Sequence, residues 1–147
     1  MPSKVKPIPD GYHTVTPYLT AKDAEALMSF VQRAFGAQVN DYEIMRNDDG
    51  SIRHAEAVIG TSRVMFAQSS AERPAKPTGM FLYVEDVDAT YKKAVAAGAI
   101  AIEDISTQFW GDRSGMVKDS NGNTWMICTH VEDVSPEEIG RRMKAAG

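Results

Sequence analysis

Two stretches of the chain repeat one pattern of apolar and polar positions. In PYLTAKDAEALMSFVQRAFGA (17–37) a short apolar strand leads to an aspartate, an amphipathic helix and a closing Gly-Ala, and MFLYVEDVDATYKKAVAAGA (80–99) follows the same plan. Asp23 and Asp86 are 63 positions apart and Gly36 and Gly98 are 62 apart, so the copies run almost in register. Self-similarity at a fixed period marks a repeated structural unit. Each aspartate has the short side-chain acceptor that caps a helix N-terminus. Leu27, Phe30, Val31, Ala34 and Phe35 then form one helical stripe, as do Val87, Tyr91, Ala94 and Val95 in the second copy. Gly36 and Gly98 supply the left-handed conformation that ends a helix.

Three strand-like runs follow each helix. In the first copy they fall near 39–46, 52–59 and 63–68, divided by Asn47-Asp48-Asp49-Gly50 and Gly60-Thr61-Ser62. In the second, a strand near 100–104 enters the loop STQFWGDRSG (106–115), and strands near 115–118 and 124–129 meet through a turn containing Asn121-Gly122. Pro17 inside the first strand is tolerable only at a sheet edge, because proline donates nothing to a ladder. Residues 1–10, with three prolines, read as an extended arm, and SSAERPAKPT (69–78) as a linker. Ser135-Pro136-Glu137-Glu138 is a capping box opening a terminal helix whose apolar pair is Ile139 and Met143. The pattern predicts an α+β fold of two tandem βαβββ modules with a C-terminal helix. Module 1 covers about 11–68, module 2 about 79–130 and the helix 135–145, all within one domain over 1–147.

Composition narrows the function classes. With 43% hydrophobic and 24% charged residues the chain is of ordinary globular type, long enough at 147 residues for a core. A net charge of -4 offers no basic field for a phosphate backbone, so nucleic acid is not an expected partner. No apolar run is long enough to span a bilayer, and the N-terminal stretch MPSKVKPIPDG lacks the apolar core of a secretory signal. Membrane is therefore not an expected partner, and one cysteine, Cys128, fits a reducing compartment, the cytoplasm.

Several stretches carry a family resemblance: DGYHTVTPYLTAKDA, IRHAEAVIG, LYVEDVDA, FWGDRSGMVKDSNGNTW and THVEDVSPEE. Together they span nearly the whole chain, which resembles the vicinal-oxygen-chelate (glyoxalase/bleomycin-resistance/dioxygenase) superfamily and within it the PhnB-like branch. The resemblance implies curved mixed sheets folded around a cavity, and a homodimer. A ubiquinone methyltransferase activity, sometimes attached to that branch, finds no support, because no glycine-rich loop feeds a helix that would hold a methyl donor.

Metal-using members take ligands from the first and last strands of each module. Counting back from the capping aspartates, those positions fall at Thr16, at Met65 or Phe66, at Gly79 and at Met126. None offers the imidazole, carboxylate or amide oxygen a divalent metal prefers. No metal site and no cofactor are expected; the remaining rescue pairs His54 and Glu56, on one strand face, with His13 or His130. The candidate ligand-binding residues are His54, Glu56, Gln108, Trp110, Asp112 and Arg113. The loop places aromatic surface, an amide and a fixed cation close together, and His54 has a near-neutral pKa suited to proton transfer. The plainer alternative has Trp110 capping the core edge while Asp112 and Arg113 pair with each other. No catalytic residue can be assigned. The expected function is metal-independent binding of a small molecule, a drug or metabolite. The alternatives are a metal-dependent lyase, isomerase or dioxygenase of the glyoxalase type, and a structural or regulatory dimer with a vestigial cavity.

Overall fold

The computed structural model describes residues 4–147, so the first three residues of the proposed arm lie outside the described residues. The chain divides between Pro77 and Thr78 into two compact units. The first holds β1 (Tyr18–Ala21), α1 (Ala24–Phe35), a 3-10 turn at Asp41–Glu43, β2 (Met45–Arg46), β3 (Ile52–Ile59) and β4 (Ser62–Gln68). The second holds β5 (Gly79–Tyr83), α2 (Val87–Ala96), β6 (Ile100–Thr107), β7 (Asp112–Lys118), β8 (Thr124–His130) and α3 (Pro136–Ala146). Each unit forms a four-stranded mixed sheet, ordered β1-β4-β3-β2 in one and β5-β8-β7-β6 in the other. The tandem α+β plan with a C-terminal helix is therefore present.

The expected caps hold both sheet-covering helices. Asp23 accepts from the Ala26 amide at 3.0 Å and Asp86 from the Ala89 amide at 3.1 Å. Gly36 ends α1 at φ 65°, and Gly98 follows α2 at φ 107°. Alternation then assigns the sheet faces. Leu19, Ala55, Ala57, Val64 and Phe66 are buried with Leu27, Phe30 and Val31 of α1, and Val117, Trp125 and Ile127 are buried with Val87 and Ala94 of α2. The intervening residues form an open face on each sheet. β1 lies at the sheet edge, parallel to β4, and Pro17 just precedes it with its carbonyl accepting from the Met65 amide at 2.9 Å. The edge thus accommodates the proline as the sequence required.

Two expectations change. The run 39–46 yields only the two-residue β2 after the 3-10 turn. β7 begins at Asp112, not near 115, so the connection after β6 shrinks to residues 108–111. The sequence hid this because Asp112 and Ser114, which look like loop residues, are buried polar positions of a strand.

Buried Asp119 organises the β7–β8 hairpin. Its carboxylate accepts from the amides of Asn121 and Asn123 at 2.9 and 3.0 Å, and from the Trp125 indole at 2.9 Å. α3 starts as the capping box predicts, with Ser135 accepting from the Glu138 amide at 3.2 Å. Arg142 fastens the helix to its own unit, donating to the Phe109 carbonyl at 3.1 Å and to Glu132 at 2.9 Å.

Candidate functional site

Strand register builds a site on the open face of the second sheet. Met116, Met126 and Phe81 form one row across β7, β8 and β5, and Ser114, Cys128 and Tyr83 form the next. Asp112 and His130 pair at the end. Phe81 and Tyr83 are 67% and 62% exposed, a large apolar surface to leave in solvent. Burial pushes the Cys128 thiol up to about 11, so it is no ready nucleophile.

Asp112 is the hub of this face. It is 3% exposed and its carboxylate accepts three hydrogen bonds, from the Tyr83 hydroxyl at 2.7 Å, the Trp110 indole at 3.0 Å and His130 Nδ1 at 2.8 Å. Burial works to raise its pKa, but the bonds from His130, Tyr83 and Trp110 outweigh burial and hold it below the ordinary carboxylate value. The same contacts act on the partners. The bond to Asp112 pushes the Tyr83 phenol up to about 12 and, with a second bond from His130 Nε2 to Asp133 at 2.7 Å, raises the His130 pKa.

The loop that presents Trp110 is tightly turned. The Gln108 amide donates to the Asp112 carbonyl at 2.6 Å and the Gly111 amide to the Gln108 carbonyl at 3.1 Å. Gly111 sits at φ 105°, and a Cβ there would lie 2.1 Å from the Glu132 carbonyl oxygen, so only glycine fits. The Gln108 side chain donates to Ser106 and Ser114 hydroxyls at 3.1 and 3.3 Å. Gln108, Trp110 and Asp112 thus gather as the sequence suggested.

Arg113 does not join them. Alternation along β7 turns it away from Asp112 and Ser114, and its guanidinium grips Asp88 of α2 through bonds of 2.9 and 2.8 Å. The expected role of Arg113 on the open face is corrected accordingly, and so is the Asp112–Arg113 pair.

On the first sheet, His54 and Glu56 share the open face, with His54 Nε2 3.4 Å from Glu56 Oε2 and its ring 5.9 Å from that of Tyr18. Two unanticipated residues join them. The Tyr12 hydroxyl donates to Glu56, which raises the pKa of the phenol, and the Arg63 guanidinium lies over the Tyr12 ring at 4.6 Å.

The strand partners of Met65 and Met126 are Tyr18 and Phe81, two residues beyond the counted positions Thr16 and Gly79. The two rows therefore read Tyr18–Met65–Glu56 and Phe81–Met126–Met116, with a single carboxylate between them. Among the described residues, no three His, Cys, Asp or Glu side chains gather as ligands would.

Tyr83, Tyr12 and Arg63 escaped the sequence reading because each reaches its partner across strands or from a distant segment, and His130, weighed there only as a partner of His54 and Glu56, meets Asp112 and Asp133 instead. One signal was available for His130, the alternation that carries β8 onto the face of Cys128.

The profile of the Glyoxalase/Bleomycin resistance protein/Dioxygenase superfamily matches residues 12–127. The chain belongs to that superfamily. An uncharacterised protein of Mycobacterium bovis is 32% identical over 146 residues, covering 90% of this chain and 93% of its own. TioX from Micromonospora sp. ML1 is similar in structure, with a TM-score of 0.66 at 24% identity, covering 82% of this chain and 100% of TioX. TnmS3, an antibiotic binding protein from Streptomyces sp. CB03234, has a TM-score of 0.64 at 18% identity, covering 81% of this chain and 96% of its own. At such identities the likeness to these two structures shows the fold alone.

Proposed function

We propose that the chain is a metal-independent small-molecule-binding protein that sequesters a planar aromatic drug or metabolite. The observation that carries this reading is the open face of the second sheet. Exposed Phe81 and Tyr83, half-buried Met116 and Met126, and Trp110 at 36% exposure surround a few fixed polar groups, Gln108, Asp112 and Ser114. Apolar walls with few placed polar groups are the usual composition of a ligand site. Aromatic faces favour offset or edge contacts with a planar guest, and methionines adapt to its outline. The antibiotic binding reported in the name of TnmS3 is consistent with this role on a shared fold. The donor-poor rows described above support a mechanism without metal. His54 and Glu56 belong to the proposal as the polar groups of the first sheet.

The PhnB-like branch is the placement we favour, on the stretches quoted from the sequence. A cytoplasmic homodimer fits the same picture, since Met143 of α3 and the open-face aromatics remain exposed in one chain. Tryptophan fluorescence tests the binding reading. Trp110 is accessible whereas Trp125 is 1% exposed, so a planar ligand should quench a signal that vanishes in Trp110→Phe. Quenching that persists unchanged in that variant would overturn the site.

A further inference from the structure

The N-terminal arm holds a recognition feature that the second sheet does not explain. The described part of the arm and the segment that continues it, residues 4–17, adopt neither strand nor helix, and Val5, Ile8 and Val15 stand exposed. Tyr12 ties it to the first sheet. Its hydroxyl donates to Glu56 and its ring lies 4.6 Å from the Arg63 guanidinium carbon. A phenol thus occupies a place defined by a carboxylate acceptor and a cation over the ring face, an arrangement that favours aromatic rings.

The closed arrangement leaves needs unmet. Arg63 Nε and Nη1 are buried and have no hydrogen-bond acceptor among the described residues. Glu43 and Glu56 lie 3.5 and 3.8 Å from Nη1, within ion-pair range but without hydrogen-bond geometry. Buried donors without acceptors carry a desolvation penalty, so Tyr12 is an incomplete partner for this guanidinium. Beside it, His13, Val15, Thr16 and Pro17 bridge over Ser62 and Arg63, leaving a recess of about 210 Å³. That space is below the usual size of a drug pocket, yet large enough for a ring substituent.

We propose that Glu56 and Arg63 form a subsite for an aromatic compound bearing a hydroxyl group, which Tyr12 occupies when the arm is closed and yields to the ligand. The proposal rests on the reading of the chain as a small-molecule binder and names a ligand class for its first sheet. Glu56 accepts the ligand hydroxyl, and Arg63 covers the ring. A tethered occupant competes at an effective concentration on the order of millimolar, so the arm sets a threshold that only an adequate ligand passes.

The test titrates the full chain with p-cresol, the free form of the tyrosine side chain, and follows the Arg63 Nε and Tyr12 ring resonances by NMR. In the wild-type protein p-cresol should shift both, and Tyr12→Ala should bind it at least about tenfold more tightly. Toluene should bind that variant at least about tenfold more weakly than p-cresol, and adding Glu56→Leu, which removes the acceptor, should abolish the difference. Equal affinity in wild type and Tyr12→Ala, or equal affinity for p-cresol and toluene, would overturn the proposal. Should Tyr12→Ala fail to fold, Tyr12→Phe decides: tighter p-cresol binding than in wild type supports displacement, and unchanged binding refutes it. Trp110 quenching tests the general binding reading and the Arg63 and Tyr12 resonances test the subsite, so failure of the one is separable from failure of the other.

Discussion

Replacing Asp112 with Asn keeps the shape of the side chain and removes its charge. The carboxylate accepts three hydrogen bonds from a position that is 3% exposed, from Tyr83, Trp110 and His130. Bonds to a charged group contribute about 1.5–3 kcal/mol and neutral ones about 1 kcal/mol. The amide retains one acceptor oxygen, enough for Tyr83 and Trp110, while its NH2 faces His130. Three charge-assisted bonds become two neutral ones; at the lower figure for each charged bond that is a loss of about 2.5 kcal/mol, or a fall in Tm of about 5–10 °C for a chain of this size.

The variant also has a pH signature. His130 is raised chiefly by Asp112, so its stabilising contribution is fully present below about 6.5 and disappears as pH rises through its folded value. Asp112 is lowered, so its contribution is present above about 3.8 and lost as pH falls through its folded value. The pair therefore stabilises most between those limits, and Asp112→Asn should lose that window while the His130 pKa falls toward its ordinary value. Thermal melts across pH and an NMR titration of His130 measure both effects. A Tm within about 2 °C of wild type, with an unshifted His130 titration, would refute Asp112 as the hub.

Other substitutions probe the surrounding architecture. Gly111→Ala should destabilise the chain by more than about 3 kcal/mol, because φ 105° and the Glu132 carbonyl both reject a Cβ, whereas Gly50→Ala, at φ 87° with open space around it, should cost about 1 kcal/mol in the same melts. Asp119→Ala should cost about 3 kcal/mol in chemical denaturation, since it removes the acceptor for the Asn121 and Asn123 amides and the Trp125 indole. Trp110→Phe should cost about 1.5–3 kcal/mol, the hydrogen bond to the charged Asp112, while abolishing ligand-induced quenching.

The parts of the fold that depend on neighbouring residues were legible in the sequence. Asp23, Asp86 and Ser135 cap the helices they were expected to cap, and Pro17 marks an edge. Of the side chains that meet in the candidate site, those legible in the sequence lie close together along it, as Gln108, Trp110 and Asp112 do. Asp112 meets Tyr83 from 29 positions away and His130 from 18 positions away, and strand register decides both meetings. Arg113, adjacent to Asp112 in sequence, was misplaced for the converse reason, because one step along a strand reverses the face. Tyr12 reaches Glu56 across 44 positions through a segment with no regular structure, where no periodicity could announce it.

Native mass spectrometry of the freshly purified chain, with and without a planar aromatic ligand, tests the central claim most directly because it weighs metal and organic guest together. The account predicts a protein mass free of stoichiometric metal and a ligand adduct that survives chelator. A mass including about one divalent metal per chain, whose removal abolishes the adduct, would contradict it.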